Sequence, residues 1–317
     1  MDWSQRLRLR HLELLQTLVD TGSLSETAKR HFTTQPGLSK WLKELEDDLG
    51  MSLFERHARG LTPTPAGQTL MEHGRRILNE MKRAQANLSA LNDQHSLQIS
   101  LGTTPAAADL APLSVLRFLE RYPKARVELF ESTMNNLLER LGQGQLDVVI
   151  GRFDNYQPNP LFRAEMIYND PLCIVARNDH PLLQLPTPLD WSTLCEYEWI
   201  AWPKSNPLQR KLDAAIAYTG KQQPLYRVEC NSQLANLWML QQSDMISTGS
   251  AKAVQNLARH GLLQVVNFEL HAVGLLGMCW IDISPPAPAI TDLLNCLREV
   301  AHAAFPSHIA LSGTNSV

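Results

Sequence analysis

Between Asp20 and Gly37 one helix must end, a second must start and stop, and a third must start, and few folds accept punctuation that dense. Leu9, Leu12, Leu15, Leu18 and Val19 recur at helical spacing, which predicts an amphipathic helix over Leu7 to Asp20. Gly22 can take the left-handed conformation that ends it, and Ser23 with Glu26 three residues on reads as a capping box. The second helix, Leu24 to His31, is short, and Ala28 on its inner face lets two helices cross closely. Thr33-Thr34 caps the third, Pro36 stands in its first turn, and Leu38, Leu42, Leu45 and Leu49 hold one face until Gly50. Helix, tight turn and helix of this size make a helix-turn-helix whose second helix can enter a major groove. Its candidate contacts are Thr33, Thr34, Gln35, Pro36 and Ser39 toward bases and Lys40 toward phosphate. Gln suits bidentate contact with adenine, whereas Thr and Pro can meet a thymine methyl.

The stretch from Leu53 to Thr64 places two short apolar pieces around a basic turn, as a β-hairpin wing would. Arg56 and Arg59 at its tip are candidates for phosphate or for a narrow minor groove. A bare helix pair of this kind also occurs in proteins that never touch DNA; the wing is what separates the two readings.

The run Leu9-Arg10-His11-Leu12, Gly22-Ser23-Leu24, Ala28, Thr34-Gln35-Pro36, Leu38-Ser39, Leu45-Glu46, Leu49-Gly50, Leu53-Phe54-Glu55-Arg56 and Leu61-Thr62-Pro63, then Gly67, resembles the LysR-type transcriptional regulators. The resemblance holds in register over about the first 75 residues. It implies that the recognition-helix residues and the wing arginine carry DNA contacts. Thr27 departs from the family, whose members often have a second Ala there.

From Ala66 to about Asn92 there is no Pro, and Leu70, Gly74, Ile77, Met81, Ala84, Leu88 and Leu91 alternate by four and three, a heptad seam. Such a helix buries its stripe either on its own chain or on a partner. The resemblance favours an antiparallel pair between two chains, which would set two recognition helices on the halves of an imperfect palindrome.

After Ser96 the pattern becomes alternating strand and helix, the signature of a parallel sheet with helices on its faces. Strands are expected at Leu97–Leu101, Arg126–Phe130, Asp147–Ile150, Pro171–Arg177, Tyr226–Glu229, Asp244–Ser247 and Val273–Ile283. Helices are expected at Leu113–Tyr122, Met134–Gly142, Leu208–Tyr218, Leu234–Gln241, Ala251–Arg259 and Pro288–Ala304. The resemblance implies two α/β subdomains of the periplasmic-binding-protein type, linked by crossovers near Asn169–Pro171 and His271. The expected organisation is thus a winged helix-turn-helix (1–65), a linker and dimerisation helix (66–92) and an α/β effector domain (93–317). Subdomain I takes 93–168 and 271–317, subdomain II 169–270. In open α/β sheets ligands bind off the carboxyl ends of strands. That rule selects Thr103, Thr104, Ser132, Thr133, Arg152, Asn231, Ser232 and Thr248, with Trp202 on the cleft rim. The same Ser, Thr and Asn side chains are also preferred helix caps. This polarity suits a small organic acid or sugar derivative and does not choose between them.

The net charge of -3 gives no overall reason to expect nucleic acid, but residues 1–92 hold 13 Lys and Arg against 11 Asp and Glu, and the remainder 16 against 21. The five cysteines show no metal-ligand spacing, so no metal or other cofactor is expected, although one redox-sensing pair remains open. Met1 to Arg10 is charged and the longest apolar run, Val273 to Ile281, is far short of a bilayer, so a cytoplasmic chain without membrane contact is expected. There is no HExxH, GxSxG or phosphate-binding loop, and Cys230 has no located base, which argues against an enzyme. A secreted solute-binding protein would lack the DNA-binding head. An architectural DNA-binding protein with an inert sensor is the remaining alternative. The favoured expectation is a dimer or tetramer on double-stranded promoter DNA whose effector alters DNA bending and RNA polymerase access.

Overall fold

The computed structural model describes residues 3–57, 60–93, 97–154, 157, 159–270, 272–282 and 287–304. They fall into two compact units, the first taking the residues up to Leu97 together with Gly142–Gln145.

In the first unit, α1 (Leu9–Thr21), α2 (Leu24–Arg30) and α3 (Gln35–Leu49) enclose a core of Leu14, Leu15, Leu18, Leu24, Ala28, Leu38, Leu42 and Leu45. Gly22 (φ 61°) and Gly50 (φ 69°) end α1 and α3 in the left-handed region, as the sequence predicts. The capping box is only half made. Ser23 Oγ accepts from Glu26 N (3.3 Å), but the Glu26 carboxylate turns along the helix to Arg30 (3.1 Å). Thr27, the departure from the family pattern, is fully buried, and its hydroxyl is satisfied by Thr21 Oγ1 at 2.9 Å. A buried hydroxyl without such a partner would be strongly unfavourable, so Thr21 and Thr27 act as a matched pair.

The wing is β1 (Phe54–His57) paired antiparallel with β2 (Gly60–Pro63). The long helix α4 runs Pro65–Asp93, and its seam is divided. Met71 is buried in the head's own core, and Gly74 lies against Leu12 of α1, where a Cβ would come within 3.2 Å of the Leu12 side chain. Arg75 Nε donates to Gln16 Oε1 at 2.6 Å. The first turns therefore pack on their own chain, and Gly74 admits α1 rather than a partner helix. Farther along, Ile77, Met81 and Leu88 are exposed. The side chain of Leu91 lies outside the described residues.

The second unit contains β3 (Gln98–Thr103), α5 (Leu110–Arg121), β4 (Arg126–Glu131), α6 (Met134–Gly142), β5 (Val148–Arg152) and β6 (Phe162–Ala176). There follow α7 (Trp191–Cys195), β7 (Trp199–Ala201), α8 (Pro207–Thr219), β8 (Tyr226–Glu229), α9 (Gln233–Gln241) and β9 (Ile246–Ser250). The unit ends with α10 (Ala251–Arg259), β10 (Gln264–Val265), β11 (Val273–Ile281) and α11 (Pro288–Ala304). The strands follow the order β4-β3-β5-β11-β6-β9-β7-β8, with β10 on β6. β3 is parallel to β4 and β5, and β7 to β8 and β9, so each end of the path is a small parallel sheet.

Between these ends run the antiparallel crossovers β6 and β11. The first half of β6 pairs with β11 and its second half with β9. The sequence reading started this strand at Pro171; it begins nine residues earlier, at Phe162. Its first half alternates exposed and half-buried positions instead of forming an apolar run, which hid it. β7 and α7 were also missed, both being short; Trp199 of β7 is fully buried. His271, at the expected second crossover, lies outside the described residues, but Leu172 N donates to Ala272 O (2.9 Å) beside it.

Candidate nucleic-acid interface and effector cleft

Thr34 caps α3, its Oγ1 accepting from Gly37 N at 3.3 Å. Thr33, Thr34, Gln35 and Pro36 are all exposed at the head of that helix, as a base-reading face requires. Ser39 is half-buried one turn on, and Arg56 Nη2 of β1 donates to its Oγ at 3.3 Å. The wing arginine thus reaches back to the recognition helix, and both lie on one surface. Lys40 is exposed and loosely paired with Glu44 at 3.8 Å. Arg59 lies outside the described residues.

One residue of this frame was quoted in the sequence motif without a role. The Glu46 carboxylate of α3 accepts from both Leu53 N (2.7 Å) and Phe54 N (3.1 Å), fastening the start of the wing to the recognition helix. An acidic residue on an inward-facing helix position was the available signal. A second such bond joins His31 Nε2 to Thr17 Oγ1 at 2.7 Å, tying the end of α2 to α1.

In the second unit, Ser132 N donates to Thr103 O and Thr104 N to Ile150 O, both at 3.1 Å. These bonds bring Thr103, Thr104, Ser132 and Thr133 to one end of the β4-β3-β5 sheet. Thr103 Oγ1 bonds to Thr104 O (3.2 Å), whereas the buried Thr104 Oγ1 has no hydrogen-bond partner. Buried polar atoms are almost always hydrogen-bonded, so a hydroxyl left open at a strand end calls for an explanation, and a bound ligand is one.

Most of Arg152's donor capacity is taken up within the fold, and only Nη2, like Thr104 Oγ1, is buried without a hydrogen-bond partner among the described residues. Its guanidinium is buried, with Nε on Asp154 Oδ2 (2.9 Å) and Nη1 on Asp170 Oδ2 (2.9 Å). The group lies flat on the backbone of Gly274, where any Cβ would fall 1.4 Å from Nη2, so only glycine fits. Arg152 therefore knits β5 to both crossover strands. Trp202 is likewise interior: it is 5% exposed in the core of subdomain II, its indole donating to Thr248 O (2.8 Å) and its N–H to Gln209 Oε1 (3.0 Å). The polar signal at 152 and the aromatic signal at 202 belong to the framework. Thr248 is buried on β9, Asn231 is exposed, and Ser232 is exposed and caps α9 through Ala235 N at 3.3 Å.

Further contacts cross between the subdomains. Lys211 of α8 reaches Asp154 (3.3 Å) and also donates to Val273 O. Asn256 of α10 donates to Asp109 Oδ2 (3.1 Å), just before α5. A cavity of about 110 Å³ lies beside this second contact, lined by Asp109, Lys252, Gln255 and Asn256 with Leu110, Leu113, Arg259 and Val300. Burial pushes the carboxyls of Asp109 and Asp170 above the ordinary range and the Lys252 ammonium below it. All five cysteines are free thiols. Burial pushes Cys173 and Cys279 up to about 12, where little thiolate exists at neutral pH.

Among the described residues no helix is long and apolar enough to cross a membrane. Residues 9–68 match the family model described as bacterial regulatory helix-turn-helix protein, lysR family, and residues 92–302 match LysR substrate binding domain. The HTH-type transcriptional regulator GbpR of Azospirillum brasilense is 32% identical over 298 residues, covering 93% of this chain and 87% of that protein. GalR of Pseudomonas putida is 30% identical over 297 residues, covering 92% and 73%. Among solved structures, CbnR, a LysR family transcriptional regulator, gives a TM-score of 0.64 at 19% identity over 93% of this chain and 99% of its own. Full-length CbnR complexed with its target DNA gives 0.65 at 20% identity, over 93% and 100%.

Proposed function

This chain belongs to the LysR-type transcriptional regulators, and from that premise we propose how its own residues bind promoter DNA and answer a small molecule. Members bind DNA through the helix-turn-helix and respond to effectors in the substrate-binding domain. The observation that carries the reading is the exposed head of α3, Thr33 to Pro36, with Arg56 of the wing held against Ser39 beside it. Gln35 reads a base edge, the threonines and Pro36 meet its neighbours, and Lys40, Arg56 and Arg59 meet phosphate or the minor groove.

Residues 1–65 form the DNA-binding domain, 66–92 the linker and 93–317 the effector domain. Ile77, Met81 and Leu88 on α4 pair with a second chain. A second self-contact, suited to a tetramer, uses the exposed Leu113, Leu116 and Leu129 near one sheet edge and Leu225, Leu234 and Trp238 near the other. The effector, an organic acid or sugar derivative, meets Thr104 first, with Thr103, Ser132, Thr133, Asn231, Ser232 and Thr248 around it; no residue is assigned a catalytic role. The protein works in the cytoplasm. The ligand shifts the subdomains only if it binds their two arrangements with different affinity, and that shift alters the bend of the promoter and polymerase access.

The test is to capture genomic DNA fragments on the purified chain and sequence them. A few promoters sharing an inverted repeat are expected. Gln35→Ala should relax base choice at one position per half-site and cost about 1–3 kcal/mol. Equal losses on specific and random DNA would refute that role.

A further inference from the structure

We propose that Phe32, which no sequence motif singled out, is a base-contacting residue that selects thymine at the edge of the half-site. This inference rests on α3 being the recognition helix.

α2 ends in a Schellman motif: Phe32 N donates to Lys29 O (3.3 Å) and Thr33 N to Ala28 O (2.9 Å). The residue between these bonds must be left-handed, and Phe32 has φ 51°, the one non-glycine residue with positive φ among those described. Glycine or asparagine takes that conformation with little strain, whereas a Cβ-bearing aromatic residue does so at a disadvantage. Its ring is 97% exposed, so packing returns nothing. The free protein is thus worse for having Phe at this position on two independent counts. Strain and exposed apolar surface together at one residue point to a contact made only in the complex.

The position names the occupant. Phe32 lies two residues before the Thr34 cap, and Phe32, Thr33, Thr34, Gln35, Pro36 and Gly37 form one unbroken exposed run. The ring therefore continues the surface with which α3 meets DNA. The apolar group that a major groove offers is the thymine C5 methyl, and the ring with the neighbouring threonine methyls suits it.

The experiment uses the full chain. A duplex library with randomised positions is selected on the wild type, and the enriched site is then bound by wild type, Phe32→Gly, Phe32→Asn and Phe32→Tyr. Each thymine of the site is also replaced singly by deoxyuridine, which removes only the methyl. Phe32→Gly and Phe32→Asn should melt several degrees higher than wild type, yet bind the selected site about tenfold more weakly with random DNA unchanged. Phe32→Tyr should restore binding. One deoxyuridine should weaken the wild type by a similar factor and leave Phe32→Gly unaffected. Unchanged affinity of the Gly and Asn variants, equal losses on random DNA, or no deoxyuridine that distinguishes the proteins would each overturn the proposal. Failure of the wild type to enrich any site would overturn the reading of α3 itself, and this inference with it.

Discussion

Glu46→Ala removes the acceptor that fastens the wing to the recognition helix, and its effect can be worked out from two distances. Leu53 N and Phe54 N both donate to Glu46 Oε1, at 2.7 and 3.1 Å. A hydrogen bond to a charged group contributes about 1.5–3 kcal/mol, and two sharing one oxygen give less than twice that, so about 2–4 kcal/mol is expected. In a head of this size such a loss lowers the melting temperature by at least about 10 °C. Glu46→Gln keeps a carbonyl oxygen in place and should lose about half as much, since neutral acceptors are about half as strong. Amide hydrogen exchange on the full chain is the direct assay. In Glu46→Ala the Leu53 and Phe54 amides should exchange about 30- to 1000-fold faster, because about 1.4 kcal/mol is tenfold. Leu15 and Leu18 in the core report the head's global stability, and the two wing amides must accelerate at least as much as they do. Unchanged exchange at Leu53 and Phe54, or Glu46→Gln behaving like Glu46→Ala, would refute the argument that this carboxylate holds the wing by these two bonds.

Three other outcomes follow from the same structure. Ile77→Asp with Met81→Asp should shift the protein toward monomer in analytical ultracentrifugation without changing the head's melting temperature, since both side chains are exposed on their own chain; an unchanged mass would exclude α4 as the pairing surface. Thr104→Val keeps the shape of the side chain and removes its unpartnered hydroxyl, so it should hold or raise stability while weakening any effector found by thermal-shift screening about tenfold; undiminished binding would remove Thr104 from the site. Burial raises the Asp109 carboxyl, so the folded state binds that proton more tightly and stability falls as pH rises from the ordinary carboxylate range through the raised value. Asp109→Asn, which keeps an acceptor for Asn256, should melt higher than wild type near neutral pH, with the gap closing toward about pH 4; a gap independent of pH would contradict this.

Most of the head was legible because its signals are local. Helix ends at Gly22, Gly50 and Thr34 depend on neighbours within a few residues, and the structure places them as expected. The Glu46 clamp was legible only as an acidic residue on the inner side of α3, because its partners lie seven and eight residues away across a turn. The partners of Arg152 were hidden for a related reason. A polar residue at a strand end resembles a ligand contact, and only the fold brings Asp154, Asp170 and Gly274 around it. The seam of α4 had the right period, but periodicity does not say which partner covers which turn; Leu12 claims Gly74 and leaves Ile77 open. Thr104 differs from Thr103 beside it in a way no sequence signal shows, since one hydroxyl has an internal bond and the other has none.

The crossover pair has a mechanical consequence. β6 and β11 stay hydrogen-bonded over nine residues, from Phe162 opposite Ile281 to Pro171 opposite Val273, and their register slips once, between Leu276 and Gly277. An extra residue in one strand bends it and increases its local right-handed twist. Here the slip leaves Ile167 as the surplus residue. The two halves of the regulatory unit are therefore joined by a continuous hydrogen-bonded ribbon rather than a loose tether. Any rearrangement of the two halves must therefore run through these two paired strands, at the point where the extra residue already interrupts their ladder.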